Sequence, residues 1–276
     1  MTLPTVVVPV FNALEYLGPC LESIARTVPE EARVVLIDDA STDTGVRPLL
    51  EAWAGRAPGR ELIEHESNLG FVASANEGIR RADGDVVLLN SDTRVCGDWL
   101  GRLQACLASD PSIATATPWS NNGEIVSLPR FCQPAPPPDE PDRVAAAIAS
   151  CGTPVYPQLP TAVGFCMAMA ATAIRQVGLF DEQAFGRGYG EENDFCRRAA
   201  DQGLRNVLCD DAYVVHAGGA SFGPLGLKPD AGSMQRLLRK HPDYQQAVED
   251  FIRSDPLAGR RREILGCLER SAVILR

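Results

Sequence analysis

Short β-branched runs alternate with helically spaced apolar residues along the first 120 positions. Thr5 to Val10, Arg33 to Ile37, Leu62 to His65, Asp85 to Asn90 and Ile113 to Pro118 read as strands. Leu14, Leu17, Leu21 and Ile24 recur at helical spacing after the first strand, and Leu100, Leu103 and Leu107 do so before the fifth. This alternation predicts βαβ units, and with them an α/β chain whose mostly parallel sheet is covered by helices.

The pattern changes after residue 128. A proline-rich stretch from Pro129 to Pro141 can continue neither a ladder nor a helix, so it reads as a surface connection between two halves. Beyond it come a short helix (Arg143 to Ala149), an apolar strand (Ala162 to Met169) and a Gly-Leu-Phe-Asp segment at Gly178 to Asp181. A glycine and aromatic loop, Phe185 to Gly190, feeds a helix from Glu191 to Gln202 that Gly203 stops. A last strand, Asn206 to His216, precedes a glycine-rich loop and helices around Met234 to Lys240, Tyr244 to Arg253 and Arg260 to Arg270. The expected organisation is one domain over residues 1–227, divided into 1–128 and 129–227, with a C-terminal helical extension over 228–276.

Charge narrows the classes of partner. A formal net charge of -10 over 276 residues argues against a general nucleic-acid binder, which needs a basic surface to displace counterions. Any phosphate on a substrate must then be met locally, by a metal or by backbone amides. Residues 228–276 carry ten Lys or Arg against seven Asp or Glu, an excess that leaves peripheral contact with an anionic membrane face open. The excess is small, so a solvated helical face around Arg260, Arg261 and Arg262 is the plainer expectation. The nine cysteines form no CxxC pair, and several, such as Cys166 and Cys196, lie in apolar or helical patterns typical of buried free thiols, which fits a reducing cytoplasm best. No signal peptide is recognisable at the start, and the longest apolar stretch, near Ala162 to Ile174, is too short to span a bilayer. A cytoplasmic location is expected, at most peripheral to the inner face of the membrane.

In open α/β sheets, functional residues collect at the carboxyl ends of strands. The first strand ends in Val8-Pro9-Val10-Phe11-Asn12 and the second in Asp38-Asp39-Ala40-Ser41-Thr42-Asp43. Ser41, Thr42 and Asp43 suffice to cap the next helix, which leaves an acid at the strand tip to accept from a base N–H or a ribose hydroxyl. Asp92, in Asn90-Ser91-Asp92, follows a buried strand and must find a partner or a cation. A hard divalent ion held by carboxylate and substrate phosphates suits that position, and His216 could complete its coordination. Glu191, Glu192 and Asp194 crowd one helix start. Dipole electrostatics explain one or two acids there, whereas three behind a glycine loop suit a general base that meets an incoming hydroxyl.

Taken in order, these segments resemble the family-2 inverting glycosyltransferases of the GT-A fold, in particular their rhamnosyltransferase-like group, from Val6 to about Phe222. The motifs carrying the likeness are Val8 to Asn12, Ile37 to Asp43, Asn68-Leu69-Gly70-Phe71 with Asn76-Glu77-Gly78, Leu88 to Thr93 and Gly190 to Phe195. The resemblance implies a nucleotide-sugar-binding half over 1–128 and a half for acceptor and catalytic base over 129–227. It places Pro9, Val10 and Asn12 in the nucleoside pocket, with Asp38 and Asp39 on the base and ribose and Asn68, Gly70, Asn76 and Ser91 along the donor. Asp92 and His216 become ligands of a divalent metal, Mn2+ or Mg2+, that bridges the diphosphate. Glu191 and Glu192 supply the base, and Asp194 is held in reserve. A carboxylate at this helix start is expected to be ionised at neutral pH.

Two positions depart from the family pattern: Asn90 stands where its DxD motif has the first acid, and Glu192 stands where an Asp is common. The implied activity is hexosyl or deoxyhexosyl transfer with inversion from a UDP- or dTDP-linked sugar. A glycan, lipid-linked or protein acceptor would receive it, in polysaccharide or cell-wall assembly, lipid-linked glycan assembly or protein glycan assembly. The alternative is a catalytically silent sugar-nucleotide-binding or scaffold protein of the same fold. A dinucleotide oxidoreductase would need G-x-G-x-x-G after the first strand, where Pro9-Val10-Phe11-Asn12 stands. A nucleotidyltransferase would need a basic glycine-rich loop there, and none is present.

Overall fold

The computed structural model describes residues 2–218, 231–273 and 275. The first half runs β1 (Thr5–Val10), α1 (Leu14–Thr27), β2 (Val34–Asp38), α2 (Val46–Ala54), β3 (Arg60–Glu64), α3 (Phe71–Arg81), β4 (Val86–Leu89), β5 (Thr93–Val95), α4 (Trp99–Ser109) and β6 (Ile113–Trp119). The second half adds α5 (Pro141–Ala149), β7 (Gln158–Leu159), β8 (Cys166–Met169), α6 (Ala171–Val177), α7 (Glu182–Phe185), α8 (Glu191–Asp201), β9 (Arg205–His216), α9 (Ala231–Lys240), α10 (Tyr244–Ser254) and α11 (Ala258–Arg270).

The sheet order is β3-β2-β1-β4-β8-β6-β9-β5, with β7 also on β9. Strands β1 to β4 pair in parallel, as do β6 and β9, while β8, β5 and β7 run against their neighbours. This is the mostly parallel α/β sheet flanked by helices that the pattern predicts. Strands β1, β2 and β4 are buried along their whole length, because helices cover both faces and only uninterrupted apolar runs tolerate that. Helix α3 lies so close to β1 that a Cβ on Gly78 would meet Val7 Cγ1 at 2.1 Å, so a glycine is required there.

Two short strands escape the periodicity. β5 and β7 have three and two residues, too few to show an alternation, and exist because β9 offers them a ladder. The strand expected from Ala162 is ordered as β8 only from Cys166, where pairing with β4 starts. Helix α2 corrects another expectation, since it starts at Val46 with Gly45 as its cap residue and draws no side-chain cap from Ser41, Thr42 or Asp43. The glycine-rich loop after His216 lies outside the described residues from Gly219 onward, as do Phe222 and the expected boundary between 227 and 228.

The C-terminal helices pack on the sheet domain through Leu237, Leu257, Ile264 and Leu268, all buried. The expectation of a solvated arginine face fails at two of its three positions. Arg260 pairs with Asp210 at 2.6 Å and Arg261 with Asp255 at 2.6 Å, and both arginine side chains are buried because α11 turns them inward. Arg262 is exposed. Cys166 and Cys196 are buried free thiols as expected, but Cys151, just after α5, is disulfide-bonded to Cys267 on α11 across 116 residues, with their Cα atoms 5.9 Å apart. Only the packing of α11 on α5 brings the two together, and the bond removes the compositional argument for a reducing compartment. Among the described residues no helix is long and apolar enough to cross a membrane.

Candidate functional site

A cavity of about 350 Å³ opens over the carboxyl ends of β1, β2 and β4 and continues across β8 and β6. Its wall includes Pro9, Val10, Asp39, Asn68, Gly70, Ser91, Asp92, Glu191, Glu192 and His216. The strand order spreads these along a line, with the β1 and β2 ends first, Asp92 after β4 in the middle, and the acids of α8 at the far end.

At the first end, the turns after β1 and β2 are tied to one another. Asn12 N–H donates to Ser41 Oγ (2.8 Å), and Asn12 Oδ1 accepts from Thr42 N (2.8 Å) and Asp43 N (2.9 Å). Asp38 Oδ1 accepts from Ser41 N (2.9 Å), closing the turn on itself. The expectation that an acid here is left free for a ligand is corrected at Asp39. Its Oδ1 accepts from Leu69 N (2.7 Å) and His65 Nδ1 (2.8 Å), and its Oδ2 accepts from Gly70 N (2.8 Å). A carboxylate has about four lone-pair sites, so Asp39 keeps one acceptor position beside the cavity while it pins the 68–70 loop. That loop also touches the far side of the cavity, since a Cβ on Gly70 (φ 92°) would come within 2.8 Å of Arg187 Cα.

His65 is held from both sides, its Nε2 donating to Glu77 Oε2 at 3.0 Å. Burial alone would lower the imidazole's pKa, but the hydrogen bonds and charges of Asp39 and Glu77 outweigh it and raise the pKa above its ordinary value. A group with a raised folded pKa stabilises fully below its unfolded value of about 6.5, and that contribution is lost as pH rises through the higher folded value. The gap in melting temperature between the wild type and His65→Gln is therefore larger at about pH 5.5 than at about pH 9, as scanning calorimetry at the two pH values will show; a gap independent of pH refutes the ion pair. Asp39→Asn lowers both melting temperature and nucleotide affinity, because one loop N–H then faces an amide NH2, a loss of about 1–3 kcal/mol. Denaturation with and without a nucleoside diphosphate measures both effects, and affinity lost at unchanged stability would remove the anchoring role.

In the middle, β5 sets the geometry. Thr93 is paired opposite His216 on β9, and Ala217 N–H donates to Asp92 O at 3.0 Å, so two residues 124 positions apart become neighbours. His216 Nε2 stands 3.5 Å from Asp92 Oδ1, its Nδ1 donates to Asn122 O at 2.6 Å, and its ring stacks on Phe165 with centroids 5.2 Å apart. Burial pulls the His216 pKa down, yet Asp92 and the Asn122 carbonyl leave it raised. A histidine that donates one ring N–H to a carbonyl presents the other nitrogen in the form that binds metal, which fits Asp92 and His216 as two ligands of one cation. Among the described residues no group of three or more His, Cys, Asp or Glu side chains could hold a metal, so further ligands would have to come from substrate or water.

At the far end, Gly190 (φ 104°) caps α8 and turns the acids into the wall. Glu191 is buried; burial and the neighbouring Glu192 push its pKa well up, and its Oε2 has no hydrogen-bond partner among the described residues. Glu192 accepts from Gly190 N (3.3 Å) and Asn193 Nδ2 (3.2 Å), but burial pushes its pKa up to about 7. The expectation of a fully ionised base at neutral pH is thereby corrected, because desolvation outweighs the helix N-terminus. Asp194 is not in the cavity wall. It is fully buried between Arg198 Nε (2.8 Å), Lys240 Nζ (2.8 Å) and His241 Nε2 (2.9 Å), which anchor α9 and the turn after it to α8. Burial alone would raise its pKa, and these three partners hold it below the ordinary value.

The model of glycosyl transferase family 2 matches residues 5–173, more than half of the chain. The chain belongs to this family. Glycosyltransferase GlyG of Streptococcus pneumoniae serotype 4 is 34% identical over 92 residues, which are 33% of this chain and 30% of GlyG, so the likeness spans under a third of that relative's length. Among solved structures, GalNAc-T7 with UDP, GalNAc and Mn2+ superposes at a TM-score of 0.67 with 16% identity, covering 99% of this chain and 55% of the other. The mannosyltransferase PcManGT from Pyrobaculum calidifontis, in complex with GDP-Man and Mn2+, does so at 0.57 with 17% identity over 97% and 74%. The fold is therefore GT-A.

Within this family-2 chain, three of the sequence-predicted site residues stay out of the cavity wall. Asn12 and Asp38 build the turns behind it, and Asn76 is buried at the other end of α3's packing, where it exchanges hydrogen bonds with the Phe180 backbone and donates to Glu182 Oε1 at 2.8 Å. Sequence reasoning missed the Ser120 to Glu124 segment after β6. Asn121 ties the Ala135 and His216 backbones, Asn122 orients the His216 ring, and Glu124, solvent-exposed, lines the cavity, where partial desolvation raises its pKa and His216 partly offsets the rise. The run Ser120-Asn121-Asn122-Gly123 was a readable signal, because it sits at a strand's carboxyl end like the others. Arg187, exposed at the rim, was also missed.

Proposed function

We propose that this chain is an inverting glycosyltransferase that moves a hexosyl or deoxyhexosyl group from a nucleotide-diphosphate sugar to an acceptor hydroxyl in one displacement. One observation carries the reading: a single cavity strings Asp39, then Asp92 with His216, then Glu191 with Glu192 along the sheet's carboxyl edge. That is the order in which a nucleoside, a diphosphate and an attacking hydroxyl would have to lie. Relatives of the same fold bound to UDP or GDP-Man support a nucleotide-sugar donor, with UDP- or dTDP-linked sugars the first to try.

Pro9, Val10 and the remaining acceptor position of Asp39 line the nucleoside end, where a carboxylate can take a pyrimidine N–H or a ribose hydroxyl. Asn68, Gly70 and Ser91 border the donor beyond it. Asp92 and His216 would hold a divalent ion, Mn2+ or Mg2+, which when bound offsets the negative charge of the diphosphate leaving group. Arg187 at the rim adds a positive charge near the same phosphates. Glu192 accepts the proton of the acceptor hydroxyl as that oxygen attacks the anomeric carbon from the face opposite the diphosphate, and a single displacement inverts the centre. Glu191, whose pKa burial and Glu192 push well up, positions the acceptor rather than taking its proton. The acceptor is a glycan, a lipid-linked acceptor or a protein, in polysaccharide, lipid-linked glycan or protein glycan assembly.

Turnover of a panel of nucleotide sugars with Mn2+, read by release of the nucleoside diphosphate and by NMR of the product's anomeric proton, tests this. Release with an inverted anomer is expected. Nucleotide binding with no turnover of any donor would favour a silent sugar-nucleotide-binding protein, and a retained anomer would remove the single displacement.

A further inference from the structure

Glu124 lies on the side of Asp92 away from the nucleoside end, since the turn after β6 is two strands beyond β4 in the sheet. It opens a 3-10 turn, Glu124–Val126, with φ at +50°, a left-handed conformation that costs energy for a side chain with a Cβ. Its carboxylate lines the cavity and makes no hydrogen bond or ion pair with any described residue. Its charge raises the Glu192 pKa, an effect that ranks behind burial, and it is itself drawn towards His216. Glu191 Oε2, in the same wall, is buried without a hydrogen-bond partner among the described residues. Glu124 is exposed to the solvent of the cavity and His216 draws its charge, while the left-handed backbone and the repulsion from Glu192 count against a carboxylate at this position. Hydroxyl groups, which donate to carboxylates, would offset them, whereas a phosphate or a carboxylate on a substrate would add a further repulsion.

We propose that Glu124 is a specificity-determining residue of the acceptor end, binding a hydroxyl of an uncharged sugar beside the hydroxyl that Glu192 deprotonates. The inference rests on the reading of the cavity given under Proposed function, and it narrows the acceptor to a neutral, hydroxyl-rich group at the point of transfer.

The test is a set of titrations on the full chain with Mn2+, UDP and GDP. The acceptor probes are the methyl α- and β-glycosides of glucose, galactose and mannose, with the matching methyl glucuronides, followed by ligand-observed NMR with and without nucleotide. For the wild type, at least one neutral glycoside binds, and the glucuronide binds about tenfold more weakly than the matching glucoside. In Glu124→Gln, which keeps size and backbone, neutral-sugar affinity falls about 5- to 10-fold because a charge-assisted bond becomes a neutral one, and the discrimination against the uronate shrinks. The melting temperature of Glu124→Gln stays equal or rises, since a repelled charge is removed. A glucuronide that binds as well as its neutral partner overturns the proposal, as does unchanged neutral-sugar affinity in the variant or a panel in which no neutral glycoside binds. A fall in affinity that only tracks a fall in melting temperature overturns it too, by making Glu124 structural. Failure of the wild type to bind either nucleotide would instead sink the donor reading, and the titrations without nucleotide still decide Glu124.

Discussion

Glu192→Gln lowers sugar transfer by roughly 10²- to 10⁴-fold, the range for removing a general base, while nucleotide affinity persists. The amide keeps the shape and the bonds from Gly190 N–H, but it cannot take a proton. In the wild type the rate follows the ionised fraction of a carboxyl whose pKa is near 7. Transfer therefore rises between about pH 6 and pH 8 and levels above, and the variant is flat across that range. Glu191→Gln is the control. Burial and the neighbouring Glu192 push the Glu191 pKa well up, so removing its charge disturbs the site less than at Glu192 and the loss is mild. Steady-state rates of both variants over the pH range settle the assignment: a dead Glu191→Gln beside an active Glu192→Gln moves the base to Glu191. Asp194 is no longer a substitute, since Arg198, Lys240 and His241 hold it buried outside the cavity wall. A linked effect follows on stability. An acid whose folded pKa lies above its unfolded value opposes folding once pH exceeds the unfolded value, so Glu192→Gln melts higher than the wild type at about pH 8 and at the same temperature near pH 4.

Asp92→Ala removes the dependence of nucleoside diphosphate binding on a divalent ion. For the wild type, affinity with Mn2+ exceeds affinity in EDTA by about 10- to 100-fold, the range lost when even the groups behind a metal ligand are removed. In Asp92→Ala the Mn2+ value falls to the EDTA value, which itself changes little because the nucleoside end is untouched. His216→Ala falls part of the way, since the carboxylate supplies the charge and the imidazole supplies only a lone pair. Calorimetric titration in both conditions measures this, and equal affinity with Mn2+ and EDTA in the wild type removes the metal from the mechanism. Asn90, in place of the usual first acid of the motif, makes the comparison informative: with one carboxylate in that motif, the ion depends on Asp92 more than it would in a two-acid site.

The amino-acid sequence by itself determined the parts of this protein that depend on neighbours in the chain. The continuous apolar runs of β1, β2 and β4 can only be strands buried on both faces, and the acids behind Gly190 can only stand at a helix start. Their order along the chain, with the Asp-Asp, Asn-Leu-Gly, Asn-Ser-Asp and Glu-Glu segments, carried the resemblance to the family, and ten of the thirteen residues that the resemblance implied for the site line one cavity. What required the tertiary structure depends on contacts between distant segments. β5 is three residues long and carries no period, yet its pairing with β9 is what sets His216 beside Asp92. Asp39 looked free because the loop that occupies it, residues 68–70, lies thirty positions away. Arg260 and Arg261 looked solvated because the carboxylates that draw them inward come from β9 and the turn before α11. The pKa of Glu192 was misjudged for the same reason: the helix N-terminus is local and legible, whereas desolvation sums over everything that packs around the side chain, and only the folded chain decides that sum.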